Sequence, residues 1–151
     1  MPETNGSADP TDPKSKTILI VDDDESVLNL LEIVIRHDGF KLELATSGEQ
    51  AIEKLKGKPD AVVLDLNLPG EASGFDVLKH LATWKGGIPP VIVVTGLTAG
   101  RELDAVRNDP NVLLFLPKPI NQDKMLQALH RVLGTKAPPP QPLQPKKPAK
   151  S

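Results

Sequence analysis

The chain has 151 residues, no cysteine, a formal net charge of −2 and only 3% aromatic residues. The lack of cysteine excludes disulfides, thiolate metal sites and cysteine nucleophiles, and the charge and sparse aromatics offer no surface for nucleic acid. No apolar run approaches the ~20 residues of a membrane span, and the N-terminus lacks the apolar core of a secretion signal. We therefore expect a cytoplasmic protein that has neither nucleic acid nor a membrane as its partner.

The two ends of the chain differ in composition from its middle. Residues 1–15 are polar and without periodicity, so we expect a disordered N-terminal tail. Residues 135–151 are rich in proline and lysine, which favours an extended, disordered tail. This second tail is interpreted either as a solvated linker or as a short docking segment for a partner. Residues 16–134 form one domain, long enough to bury a core.

Strands and helices alternate along this domain. In chain order, the apolar periodicity predicts strand 17–21, helix 26–36, strand 41–46, a helix capped by Ser47, strand 61–66, helix 75–84, strand 91–95, helix 99–107, strand 112–116 and helix 122–133 after a cap at Asn121. Strand 41–46 alternates and is expected to be more exposed. The other strands are nearly continuous apolar runs, which indicates a parallel sheet with helices on both faces. The prediction is an open, doubly wound α/β fold.

Polar side chains follow every predicted strand except the second. Three aspartates at 22–24 follow the first strand, Asp65 ends the third, Thr95 ends the fourth and Lys118 follows the fifth. Asp65 lies inside the apolar run "AVVLDLNLP", where a stray charge is costly. In doubly wound sheets ligands bind beyond the carboxyl ends of the strands. The four positions therefore predict a functional site at that edge.

Converging carboxylates repel one another unless a cation lies among them. The hard oxygens of Asp22, Asp23 and Asp65 suit Mg²⁺, which commonly binds carboxylates together with phosphate oxygens. One carboxylate can then act as a nucleophile toward phosphorus. The Lys118 ammonium and the Thr95 hydroxyl would neutralise and position the phosphoryl oxygens.

The motifs "VDDD", "VVLDLNLPG", "VVTG" and "FLPKPI" occur in one order on this β-α background. Together they make residues 16–134 resemble the receiver domain of two-component response regulators. The resemblance implies a flavodoxin-like sheet of five parallel strands in the order 2-1-3-4-5.

The resemblance also implies the roles of the acidic residues. Asp65 is the expected phospho-acceptor. Asp23, Asp65 and the backbone carbonyl of Asn67 are the expected ligands of Mg²⁺, and Asp22 is expected to assist through water.

The remaining roles concern the switch from the inactive to the active state. Thr95 is expected to contact the phosphoryl oxygens, and Lys118 is expected to pair with the phosphoryl group. The bond from Lys118 to Pro119 is expected to be cis. Phe115 occupies the aromatic switch position of the family, outward when inactive and inward when active.

The sequence departs from the usual family pattern at three places. The loop between Pro69 and Gly74 is one residue longer than the commonest version, and Leu68 stands where methionine is frequent. Leu97 is apolar where some relatives carry a polar group that helps the attacking water. We therefore expect slower loss of the phosphoryl group than in those relatives.

These features predict a single-domain response regulator rather than an enzyme with turnover. Its expected partners are a sensor histidine kinase or a histidine phosphotransfer protein, and a downstream target that binds the fourth helix, fifth strand and fifth helix. No output domain follows residue 134 of this chain, so the output is expected to be protein contact or onward transfer of phosphate.

The sequence is compatible with other interpretations to different degrees. A receiver fragment of a larger hybrid kinase or regulator stays open. An aspartyl-nucleophile phosphatase is disfavoured because Asn67 stands where such enzymes usually carry a second aspartate. The histidines could serve as phosphoryl donors, but each is expected to be exposed on a helix face or helix end: His37, His80 and His130.

Overall fold

The structure is a computed structural model, and it describes residues 9–97 and 100–137. Within these residues a short 3₁₀ helix, Pro13–Ser15, precedes ten alternating elements. They are β1 Thr17–Val21, α1 Glu25–His37, β2 Lys41–Ala45, α2 Gly48–Leu55, β3 Ala61–Leu64, α3 Gly74–Ala82, β4 Val91–Thr95, α4 Arg101–Arg107, β5 Val112–Pro117 and α5 Gln122–Leu133. All strand pairs are parallel, and the order is β2-β1-β3-β4-β5. The predicted fold class and strand order are confirmed.

Helices cover both faces of the sheet. α1 and α5 pack on one face, while α2, α3 and α4 pack on the other. The three inner strands are almost entirely buried, which explains their continuous apolar sequences. The edge strands are more open: β2 alternates, as predicted, and β5 exposes Leu113, although its sequence resembles that of an inner strand.

The helices begin close to the edge where the strands end. Ser47 Oγ accepts a hydrogen bond from Gln50 N, and Asn121 Oδ1 accepts one from Lys124 N, so both predicted caps are confirmed. Asp24 caps α1 by accepting a bond from the backbone N–H two residues on. Among the described residues, no helix combines the length and the apolar character needed to cross a bilayer.

Residues 9–15 differ from the disorder expected of them. Asp12 caps the 3₁₀ helix, and Pro13, the first residue of that helix, is buried. Lys136 N donates a hydrogen bond to Thr11 O at 2.9 Å, so the stretch after α5 lies beside the N-terminal segment. Composition cannot reveal such a pairing, because it joins residues far apart in sequence. The rest of the two expected tails lies in 1–8 and 138–151, outside the described residues.

Candidate functional site

Three carboxylates meet at the carboxyl edge of the sheet. β1 and β3 pair with Val21 opposite Leu64, so the residues that follow them, Asp22 and Asp65, leave the sheet side by side. The carboxylate oxygens of these two residues and of Asp23 lie within 4.8 Å of one another. Asp22 and Asp65 are buried, whereas Asp23 is exposed. The structure thus brings together three acidic groups that the sequence placed at strand ends.

Lys118 supplies the positive charge that faces this cluster. Its Nζ lies 2.9 Å from Asp22 Oδ2 and 3.1 Å from Asp65 Oδ2. Burial lowers the pKa of the Lys118 ammonium, but the hydrogen bonds to both carboxylates outweigh burial and raise it above its ordinary value of 10.5. One ammonium against three carboxylates leaves an excess of negative charge in the cluster.

The buried Asp65 carboxyl has an unusual balance of stabilising contacts. Its Oδ1 accepts a hydrogen bond from Asn67 N at 3.1 Å, while its Oδ2 accepts the bond from Lys118. Burial raises the pKa of Asp65 above its ordinary value of 3.8, although the Asn67 N–H and Lys118 both act to lower it. The charged form is therefore incompletely compensated, as expected of a carboxylate that needs a further cation.

Thr95 ends β4, the strand beside β3. It is fully buried, its Oγ1 accepts a hydrogen bond from Leu97 N at 3.1 Å, and its carbonyl accepts one from Lys118 N at 2.9 Å. The threonine and the lysine are thus tied to each other through the backbone. Among the described residues no hydrogen bond joins the Thr95 hydroxyl to the acidic cluster.

The donor set fits Mg²⁺. The three carboxylates offer hard oxygen ligands, and within residues 9–97 and 100–137 one lysine forms ion pairs with the two buried ones. Asp22 Oδ1 accepts a hydrogen bond from Asp24 N at 2.9 Å, which fixes the turn that carries Asp22 and Asp23. Asn67 is exposed, and it follows Asp65 by two residues in the chain.

Two further predicted positions lie on β5 and directly after it. The Lys118–Pro119 peptide bond is cis, in agreement with the expectation. Phe115 is half-buried and packs against the core cluster on the α2–α4 face. The Arg107 guanidinium of α4 lies 4.7 Å from the centre of the Phe115 ring, which is a cation–π distance. Sequence reasoning missed Arg107, because no spacing rule connects a helix residue with a strand eight residues later.

His130 differs from its expected exposed position. Its Nε2 lies 2.9 Å from Asp38 Oδ2, its Nδ1 lies 2.8 Å from Thr135 Oγ1, and its ring centre lies 4.9 Å from that of Phe40. The histidine therefore joins α5 to the end of α1 and to the stretch after α5. A helix-end position predicted exposure, and these long-range contacts have no local signal.

Comparison with known proteins identifies the family. The response regulator receiver domain family matches residues 18–130, which is most of the chain. This chain is a member of that family, and its fold is the one that the family resemblance implied. Receiver domains belong to two-component signalling, in which they interact with histidine kinases or phosphotransfer proteins and are not classical enzymes.

Individual relatives support the assignment. The transcriptional regulatory protein CpxR of Escherichia coli K12 is 34% identical over 117 residues, covering 77% of this chain and 48% of CpxR. A CheY-like receiver domain protein of Methanospirillum hungatei has a similar structure, with 25% identity, a TM-score of 0.69 and coverage of 79% of this chain and 94% of that one. A second similar structure is the receiver domain of the sensor histidine kinase PA1611 of Pseudomonas aeruginosa, with 22% identity, a TM-score of 0.68 and coverage of 79% of this chain and 98% of that one. The chain spans between a quarter and about half the length of the curated relatives it matches.

Proposed function

We propose that this chain accepts a phosphoryl group on Asp65 from a histidine kinase or a histidine phosphotransfer protein. The observation that carries the proposal is the convergence of Asp22, Asp23 and Asp65, with Lys118 bonded to the acceptor carboxylate. Asp22, Asp23, Asp65 and the Asn67 carbonyl would hold Mg²⁺. The PA1611 receiver domain, which has a Mg²⁺ ion coordinated in its active-site cleft, supports that assignment.

The proposed transfer is a displacement at phosphorus. One Asp65 carboxylate oxygen forms the new oxygen–phosphorus bond while the bond from phosphorus to the donor's imidazole nitrogen breaks, and the electron pair of that bond stays on the imidazole. Bound Mg²⁺ would neutralise the phosphoryl oxygens. Lys118 already lies within hydrogen-bond distance of Asp65 Oδ2, so it is placed to pair with the group that arrives.

The added charge provides the driving force for a switch. A phosphoryl group brings nearly two negative charges and new acceptor oxygens to the end of β3. The Thr95 hydroxyl, now bonded to Leu97 N, would turn its proton toward those oxygens and draw the backbone at Leu97 with it. Phe115 would move inward, away from the Arg107 guanidinium above its ring. These changes would reshape the surface of α4, β5 and α5 that the downstream target binds.

The donor is proposed to dock beside α1. This helix starts three residues after Asp22, and it exposes Leu30 by 42% and Ile33 by 67%. Large apolar side chains exposed next to an acidic site are typical of a protein-binding surface. The same site serves transfer from a kinase or from a phosphotransfer protein.

We propose that residues 16–134 work as a self-contained receiver unit, whose output is protein contact or onward transfer of phosphate. CpxR is about twice as long as the matched region, so attachment to an output domain is the competing arrangement. Either arrangement uses the same chemistry at Asp65. Because Leu97 is apolar, the phosphorylated form is proposed to lose its phosphoryl group slowly.

The test is labelling of the purified protein. With Mg²⁺ and radiolabelled acetyl phosphate, the wild-type protein should acquire an acid-stable, hydroxylamine-labile label, as an acyl phosphate does. Asp65→Asn should acquire none, while Asp104→Asn on α4, which loses the same charge from an exposed position, should label normally. An unlabelled wild-type protein, or equal labelling of Asp65→Asn, would refute the proposal. A pull-down with and without beryllofluoride then identifies the target.

A further inference from the structure

The loop that follows the acceptor, residues 66–73, is held tightly at its base. Gly74 N donates a hydrogen bond to Leu66 O at 3.0 Å, and Leu68 is buried in the core. A Cβ added at Gly74 would lie 2.3 Å from Asp65 O, so the first residue of α3 presses on the acceptor's own backbone. The loop is therefore anchored where it joins α3.

The tip of the loop is held by α2. Glu49 Oε2 accepts hydrogen bonds from Glu71 N at 3.1 Å and from Ala72 N at 3.2 Å. Next to it, Gly48 approaches the Ala72 carbonyl so closely that an added Cβ would lie 2.2 Å from that oxygen. Gly70, whose φ is 90°, turns the loop back toward the Glu49 carboxylate. These contacts form a clamp between the start of α2 and the loop tip.

We propose that Glu49 is a positioning residue that holds this loop in place and thereby sets the affinity of the acidic cluster for Mg²⁺. The inference rests on the proposed function, because Asn67 is taken as the backbone ligand. Asn67 lies between Asp65 and the clamp. Fixing the loop on both sides of Asn67 reduces the ordering that metal binding must impose.

An alternative explanation is that Glu49 acts only through its negative charge. Two conservative substitutions separate the explanations. Glu49→Asp keeps the charge but is one methylene too short to reach the loop amides. Glu49→Gln keeps the reach and a carbonyl acceptor but loses the charge. If Glu49 acts by positioning the loop, Glu49→Gln should keep the wild-type affinity for Mg²⁺ and Glu49→Asp should lose it. If Glu49 acts through its charge, the two variants should behave the opposite way.

The experiment measures the clamp and the metal separately. Amide hydrogen exchange without Mg²⁺ should be faster at Glu71 and Ala72 in Glu49→Asp and Glu49→Ala, but near wild type in Glu49→Gln. Calorimetric titration with MgCl₂ should show that Glu49→Asp and Glu49→Ala lower the affinity for Mg²⁺ about threefold to tenfold, which is the loss expected for weak solvent-exposed hydrogen bonds. In Glu49→Gln the affinity should stay within about twofold of wild type. When Glu49→Asp and Glu49→Ala are labelled with acetyl phosphate, the half-saturating Mg²⁺ concentration should rise, while the labelling rate at saturating Mg²⁺ should be unchanged. Glu53→Gln, one turn further along α2, is the matched control.

The outcomes discriminate between this inference and the proposed function. The positioning role is overturned if Glu49→Asp binds Mg²⁺ with wild-type affinity. It is also overturned if Glu49→Gln alone loses affinity for Mg²⁺. A wild-type protein that binds Mg²⁺ but is not labelled overturns the proposed function, while the titrations still judge Glu49. A wild-type protein that does not bind Mg²⁺ overturns both.

Discussion

Replacing Asp23 by asparagine tests how far the acidic cluster strains the metal-free fold. The side chain is exposed, yet its oxygen lies within 4.8 Å of the oxygens of Asp22 and Asp65. Asparagine keeps the shape and removes one charge. We expect Asp23→Asn to stabilise the metal-free protein, because it relieves repulsion without opening a cavity.

The magnitude follows from the distances. Two unit charges 4.8 Å apart repel by ~0.9 kcal/mol in water and by ~3.5 kcal/mol at an effective dielectric constant of about 20. Asp23 is exposed, so the low end applies, and attraction to the nearby Lys118 ammonium offsets part of the repulsion. A net stabilisation of about 1 kcal/mol is expected, which corresponds to a rise in Tm of about 3–5 °C for a domain of this size.

Magnesium should reverse the order of stability. A ligand present at about 100 times its Kd stabilises the folded wild type by ~2.7 kcal/mol. Asp23→Asn lacks one proposed ligand, so it should gain much less from the ion. Urea unfolding in EDTA and in MgCl₂ measures both effects, and 0.5 M NaCl should shrink the difference seen in EDTA because salt screens exposed charges.

Asp104→Asn is the control, because it removes an equivalent exposed charge on α4. It should change the free energy of unfolding little in either condition. The reasoning is refuted if Asp23→Asn is less stable than wild type in EDTA. It is equally refuted if MgCl₂ stabilises both proteins by the same amount.

Three other substitutions test particular contacts. Leu97→Glu should accelerate phosphate release from the labelled protein, and an unchanged time course would contradict the role given to the apolar side chain. Gly74→Ala forces a Cβ against the backbone at the end of β3 and should cost about 2–3 kcal/mol in urea unfolding, whereas Gly57→Ala, which meets only an ordinary contact at 3.4 Å, should not. The Ser73 backbone N–H lowers the pKa of Asp76 below its ordinary 3.8, so the ionised carboxylate stabilises α3 above that pH. The destabilisation caused by Asp76→Asn should therefore be present at pH 7 and disappear as the pH falls through the lowered pKa, and a pH-independent difference would contradict it.

Periodicity was sufficient for the sheet, because strands buried on both faces must be apolar at nearly every position. Parallel strands also bring their carboxyl ends to one edge, so placing Asp65 and Lys118 at strand ends predicted that they would meet. They do, at 3.1 Å. The strand order came from the family resemblance, because the apolar runs of β1, β3 and β4 are interchangeable in pattern.

The contacts that the sequence could not predict join segments without a shared period. Glu49 reaches amides more than twenty residues away, and His130 reaches Asp38 across 92 positions. Such pairs depend on loop paths and on the exit direction of each helix, which apolar patterning does not encode. The same reason explains why β5 was expected to be as buried as the inner strands: an edge strand and an inner strand differ in their neighbours, which lie elsewhere in the chain.

Sheet hydrogen bonds fix the backbone positions of the two buried aspartates in the acidic cluster. Asp22 N and Asp65 N are bonded to the Ala45 and Val21 carbonyls, which continue the sheet hydrogen bonds past the last strand residues. The backbones of the two residues therefore cannot move apart without breaking sheet bonds. The Lys118 ammonium offsets part of their repulsion, and burial, which raises the pKa of Asp65, adds to the cost of keeping both carboxylates charged. On the proposed function, the sheet thus holds a site for a divalent ion and a phosphoryl group at the expense of stability in their absence.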